Sequence, residues 1–255
     1  MSVANPNNQT IATNNNSVLA RIEDLIGTHH SDANWDIDID AAYSMAVALV
    51  VDTIPAEVLV KYTEDANKWT LATDDTVPDA YWSTRPIDGK KVLLLTRSDD
   101  AGVERDVKPV SIAEFSRAQD SNSMYFATEL TPVWTVIPNQ SGDGIARLNM
   151  FPAPEEHTVS NAQVGTLYLF PYPTAVPYSD SGSTRTYANT IEGIPNELIQ
   201  AIVLQSAINA LQSYLGWAVL DEEDQELTSL ITAQMQTYKA ELATELSRYV
   251  EGKVE

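Results

Sequence analysis

The chain has 255 residues, with 36 acids against 15 bases and no cysteine. A net charge of −21 repels polyphosphate and argues against general nucleic-acid binding. The lack of cysteine excludes disulfides, thiolate catalysis and cysteine-held zinc, while 44% hydrophobic residues suffice for a sizeable core.

Met1 to Asn16 has neither the basic nor the apolar region of a signal peptide, and its Asn, Gln and Thr content predicts a flexible arm, residues 1–16. Ser17 can cap a helix through Val18, Ile22, Leu25 and Ile26, which Gly27 ends. Asp36, Asp38 and Asp40 precede the apolar run Ala41 to Val51, where Tyr43, Val47 and Val50 share a face. Pro55 restarts a helical pattern through Val58, Leu59 and Tyr62, so residues 17–68 are expected to be helical.

From Trp69 the pattern changes, and residues 69–180 read as mainly β. Val92 to Thr96 is a short apolar run behind an Asp88–Gly89 turn signal. Ser111 to Gln119 predicts one short helix, and residues 124–128 and 133–137 favour strands. Gly142-Asp143-Gly144 offers a tight connection into the alternating run Ile145 to Phe151, and Val164 to Tyr172 alternates again. Prolines 152, 154, 171, 173 and 177 keep the edges short. Tyr178 to Thr190 reads as a mobile polar loop.

Residues 191–250 predict a helical hairpin. Pro195 suits a first turn, and Ala201, Leu204, Ile208, Leu211 and Leu215 recur at helical spacing. Glu197 is the only charge between Ile194 and Leu220, and a helix apolar nearly all round must be covered nearly all round. Gln200, Gln205, Asn209 and Gln212 argue against a membrane helix. Gly216 is the expected stop. Asp221, Glu222, Glu223, Asp224 and Glu226 then place negative charge at a second N-terminus, followed by a stripe of Leu227, Ile231, Met235, Tyr238, Leu242, Leu246 and Tyr249. The expected fold is α+β: a helical bundle closed by the C-terminal hairpin, with an inserted antiparallel β-meander. Residues 17–255 are expected to form one domain, because the C-terminal helix needs the N-terminal helices as cover.

No constellation carries a reaction. Asp36-x-Asp38-x-Asp40 opens like a calcium loop, but the sixth position is Ala41 and the twelfth Val47. His29, His30 and His157 have no metal-ligand spacing, and Gly142-x-Gly144 lacks the third glycine of a dinucleotide site. Catalytic residues, cofactors and metals are therefore not expected. Arg85, Lys90, Lys91, Arg97, Arg105, Lys108 and Arg117 put seven of the fifteen bases beside six acids, a mixed surface or a partner-facing patch.

Pro132-Val-Trp-Thr-Val136, Ile145 to Pro154 ending Phe-Pro-Ala-Pro, the strand Val164 to Pro173, Ile194-Pro195-Asn-Glu-Leu198 opening an Ala/Leu-rich helix, and the acids before the closing helix form a familiar combination. In these the chain resembles the head-to-tail adaptor (neck or connector) proteins of tailed bacteriophages, over roughly residues 17–68 and 130–250. Residues 69–125 have no counterpart. The resemblance implies a non-enzymatic virion protein of the neck, made in the host cytoplasm. It implies a homo-oligomeric ring, typically of twelve copies, between the portal protein and a tail-side protein, with DNA passing the channel unbound and no membrane involved. It further implies that the terminal segments Met1–Asn16 and Arg248–Glu255 order against neighbours.

The near-uniform apolarity of the 194–220 helix fits a subunit with a neighbour on each side. Leu204, Ile208 and Leu211 are accordingly expected to be fully buried at a partner interface, between the N-terminal helices and a neighbouring subunit, with Tyr249 and Val250 docking either onto a partner or onto their own subunit. The alternatives are another tail-completion or decoration protein, or a carbohydrate-active enzyme or adhesion module using the β region, where Trp69, Trp82 and Trp134 would stack on sugars.

Overall fold

A computed structural model describes residues 10–12, 16–27, 38–63, 68–72, 90–98, 102–137, 147–152, 164–181, 184–218 and 225–250. Asp36, the three histidines, Trp82, the Asp88–Gly89 and Gly142–Gly144 turns and the acids 221–224 lie outside them. The first elements are β1 (Thr10–Ala12), α1 (Val18–Ile26), α2 (Ile39–Thr53) and α3 (Ala56–Leu59) with a 3-10 turn Val60–Tyr62. Next come β2 (Lys68–Ala72), β3 (Lys90–Ser98), β4 (Glu104–Asp106), β5 (Lys108–Pro109), α4 (Ile112–Ala118), β6 (Val133–Ile137), β7 (Arg147–Phe151) and β8 (Val164–Pro171). The chain ends with β9 (Tyr178–Ser181), β10 (Thr184–Tyr187), α5 (Asn196–Ala218) and α6 (Gln225–Val250). The fold is α+β. Expected as one domain, the chain divides into two compact units, the first made of Met1–Tyr62 with Tyr172–Glu255 and the second of Thr63–Pro171.

In the first unit α5 is the core. Leu198, Ala201, Ile202, Val203, Leu204, Ala207, Ile208, Ala210 and Leu211 are buried, and α1, α2 and α6 pack against the helix. Its inward polar side chains are hydrogen-bonded. The Ser206 hydroxyl donates to the Ile202 carbonyl at 2.7 Å, Gln205 Nε2 to Asn209 Oδ1 at 2.7 Å, and Asn209 Nδ2 to the Ala42 carbonyl of α2 at 3.0 Å. A buried amide with both ends engaged costs little, so these residues sit in an apolar helix without a polar face. Gly216 does not stop α5, which runs on to Ala218; positive φ among the described glycines occurs at Gly27, Gly102 and Gly193.

The Ser17 Oγ accepts from the Ala20 amide, and Gly27 at φ 67° closes α1 as expected. Across from it, Gln234 Nε2 and the Tyr238 hydroxyl of α6 both donate to the Leu25 carbonyl, at 3.1 and 3.0 Å. Last-turn carbonyls have no partner within their own helix, so α6 completes α1.

Two expectations are corrected in this unit. The arm 1–16 contains β1, which pairs parallel with β10, Thr10 opposite Thr184 and Ala12 opposite Thr186. The polar loop 178–190 contains β9 and β10, paired antiparallel with Tyr178 opposite Tyr187. The buried face of that ribbon is carried by Arg185 and Tyr187. Arg185 Nε and Nη2 donate to the two Asp180 carboxylate oxygens at 3.0 and 3.2 Å, and its Cζ lies 3.7 Å from the Tyr178 ring centroid. A two-pronged charged pair stacked on an aromatic replaces the usual apolar alternation.

The second unit holds two sheets, ordered β2-β8-β3-β4 and β5-β6-β7. An antiparallel meander would keep neighbours in chain order. Instead β8 inserts between β2 and β3, and β5 runs parallel to β6. Leu95, Val107, Leu148, Met150, Leu167 and Leu169 form its core, with Trp134 packed against them. The helix α4 begins as expected with a capping box, the Ser111 hydroxyl receiving the Glu114 amide and the Glu114 carboxylate receiving the Ser111 amide. Residues 124–128 are turns rather than a strand. The Asn122 amide donates to Asp120 Oδ1 at 2.9 Å and the Tyr125 amide to Ser123 Oγ at 3.1 Å, so side chains take the amides that a ladder would use.

Candidate interaction surface

Leu204, Ile208 and Leu211 are 1, 1 and 0% exposed in the single chain. They are core residues, with no surface left to offer a neighbour, because α1, α2 and α6 already supply the cover that the sequence demanded. Tyr249 is half-buried. Burial, then the carboxylates of Glu197 and Glu245, hold its hydroxyl above the usual tyrosine range. The Val250 side chain is outside the described residues.

The uncovered helix is α2. Its buried face runs Ile39, Ala42, Tyr43, Ala46, Val47, Val50 and Val51, while Met45 and Leu49, one turn apart, are 65 and 49% exposed. Ala41 continues that stripe one turn earlier. The signal was available in the sequence, since Asp40 and Asp52 are the only charges from Ile39 to Thr53. The argument that α5 needs cover on every side applied equally to α2. Exposed Asp38 and Asp52 flank the stripe at the two ends of α2, and no Lys or Arg lies between Arg21 and Lys61.

Both ends of α2 are tied down. Asp40 Oδ1 accepts the Val176 amide at 2.8 Å, and the Tyr172 hydroxyl donates to Asp52 Oδ1 at 2.6 Å. Between them Tyr43 is fully buried, and its hydroxyl finds no hydrogen-bond partner among the described residues. Burial, then the nearby Asp40 carboxylate, pushes that hydroxyl well above the ordinary tyrosine value. The unfolded chain ionises this tyrosine near pH 10, whereas the folded chain keeps its proton. The folded state thus binds more protons above pH 10, so the stability linked to Tyr43 is complete below about pH 10 and falls as pH rises toward the raised folded value. Tyr43→Phe is expected to flatten that alkaline loss and to change neutral stability by no more than about 1 kcal/mol, since a lone buried hydroxyl contributes little. Urea melts of both proteins across pH 9 to 11 check this, and parallel curves would refute it.

Among the described residues of the second unit, the exposed large apolar side chains are Val103 and, in α4 or the loop after it, Ile112, Met124, Tyr125, Phe126 and Leu130. The seven-base stretch does not form one continuous patch. Arg97 is buried and faces Glu129 at 3.7 Å, while Lys108 and Arg117 are exposed. Trp134 is partly buried and packs against the core; the side chain of Trp69 lies outside the described residues.

Among the described residues no group of His, Cys, Asp or Glu is placed to hold a metal ion, and no single helix is long and apolar enough to cross a membrane. What the arrangement offers is surface: an apolar helical stripe with an acid at each end. No protein-family model matches the chain, and no curated protein matches it.

Proposed function

We propose that this chain is a structural virion protein, a ring-forming adaptor between a phage portal and its tail. The observation that carries the reading is the α2 stripe, a helix otherwise built into the core that leaves Met45 and Leu49 uncovered. In a ring each copy meets a neighbour on either side through unlike surfaces, so an uncovered apolar helix has a use. In this reading α5 and α6 form a helical hairpin that closes a bundle with α1 and α2. The packing of α6 against α5 supports it. The net charge of −21 suits a channel wall past which DNA slides without sticking. Portal protein on one side, a tail-side neck protein on the other and a ring of twelve copies follow from the family resemblance.

The test is location. Labelled copies of this chain are expected at the neck of the virion, and density anywhere else would end the adaptor reading. The same reading assigns no catalysis and no required metal. Dialysis against a chelator is expected to leave the thermal midpoint unchanged, and a shift of several degrees would overturn that assignment.

A further inference from the structure

We propose that a cleft in the first unit, between α1, the segment after β10 and the first turn of α5, binds a carboxylate group against Arg21. The inference goes beyond the adaptor reading and does not depend on it.

The cleft has a volume of about 330 Å³, at the small end of ligand sites. Among the described residues it is lined by Asn16, Arg21, Asn189, Thr190, Asn196 and Ile199. Backbone bonds fix its walls. The Val18 amide donates to the Ala188 carbonyl at 2.9 Å, which sets α1 beside residues 189 and 190, and the Leu198 amide donates to the Pro195 carbonyl at 2.9 Å where α5 begins. Ile199 is 2% exposed and Arg21 is half-buried, while the asparagines and Thr190 are exposed around them. Gln200 Oε1 accepts from Arg21 Nη2, which holds the guanidinium in place and leaves its other donors for a further acceptor.

That neutral partner sets Arg21 apart. Arg97, Arg185 and Arg248 face carboxylates at 3.7, 3.0 and 2.9 Å. Among the described residues Arg21 faces none, in a chain with 36 acids. A guanidinium carries donors only, so whatever engages the rest of it is an acceptor, and a charged acceptor gives the stronger bond. The side chains of Asn189, Thr190 and Asn196 make no hydrogen bond among the described residues, and each has a donor for the same group.

Charge then narrows the ligand. No acid lines the cleft among the described residues, but Asp24, Glu192 and Glu197 are exposed in the same segments. One base in that setting accepts one negative charge and repels a second, which selects a carboxylate over a phosphate. The planar guanidinium also matches a carboxylate edge with parallel hydrogen bonds. The group has two sources, a small free acid or an Asp or Glu side chain of a second copy.

Acetate is the probe, titrated into the isotope-labelled full-length protein at constant ionic strength against chloride. The backbone amide resonances of Asn189, Thr190 and Ile199 are expected to shift and saturate in the millimolar range. Arg21→Gln, which keeps an amide opposite Gln200, should abolish the saturable shift, and Asn189→Ala should weaken binding several-fold. Shifts that chloride reproduces, that never saturate, or that survive in Arg21→Gln would overturn the site. Inorganic phosphate binding as tightly as acetate would overturn the carboxylate assignment. Sedimentation at rising chain concentration separates the sources. Self-association that acetate and Arg21→Gln both reverse assigns the cleft to another copy's acid, and sedimentation that neither changes assigns it to a free acid; either result supports the site.

Discussion

Ile208→Ala is expected to lower the stability of the chain by about 2–5 kcal/mol, the range for truncating a large aliphatic side chain in a packed core. Ile208 is 1% exposed in the single chain, on the helix that α1, α2 and α6 surround. Three helices cannot all collapse into the vacated volume, so most of the lost contact persists as a cavity. The loss should be the same in dilute and concentrated protein, because the cover is internal. Urea melts at two widely separated chain concentrations check both points. A loss below about 1 kcal/mol, or one that grows with concentration, would return this helix to an interface between copies.

The second effect is expected at Asp180→Ala, a loss of stability read as a lower urea midpoint. Arg185 is 5% exposed and gives two hydrogen bonds to Asp180, whose side chain is 35% exposed. Removing the carboxylate strands a guanidinium among Tyr178, Tyr187 and the sheet. Water reaches the Asp180 side, so the loss is smaller than for a pair closed off from solvent. Arg185→Met in the Asp180→Ala background should restore part of the loss, since an apolar side chain of similar length needs no partner. Additive losses in the two single variants and the double variant would show that the pair contributes nothing beyond its separate side chains.

That same pair explains what the sequence left hidden. The α5 helix was legible because apolar residues fill every face, and α6 because Ile231, Met235 and Leu242 recur on one stripe and are buried as that spacing requires. In β9 and β10 the inward positions belong to Arg185 and Tyr187 among serines and threonines, so hydrophobic alternation is absent and a strand reads as a loop. Met124, Tyr125 and Phe126 mislead in the opposite direction. Their strand-like character is not used in a ladder, because Asp120 and Ser123 decide the backbone. The register of β1 against β10 was beyond reach, since three polar-flanked residues carry no mark of a partner so distant in the chain. For the candidate surface, the α2 stripe was readable from the same all-round apolarity that singled out α5. The loop was not, because its exposure depends on tertiary anchors at Ala118 and Phe151.

The first unit is written in two instalments, Met1–Tyr62 and Tyr172–Glu255, with the second unit between them. On the ribosome α1 and α2 emerge early, yet their partner α5 begins only at Asn196. Until then Val18, Ile22, Val47 and Val50 have nothing to be buried against, while Thr63–Pro171 can close on itself as soon as β8 appears. Synthesis order therefore runs the intervening unit first and completes the flanking one last, leaving nascent apolar helices for holdase chaperones to cover. A released chain ending just before Asn196 should be cut by protease within α1 and α2 and spared within β3, β6 and β8.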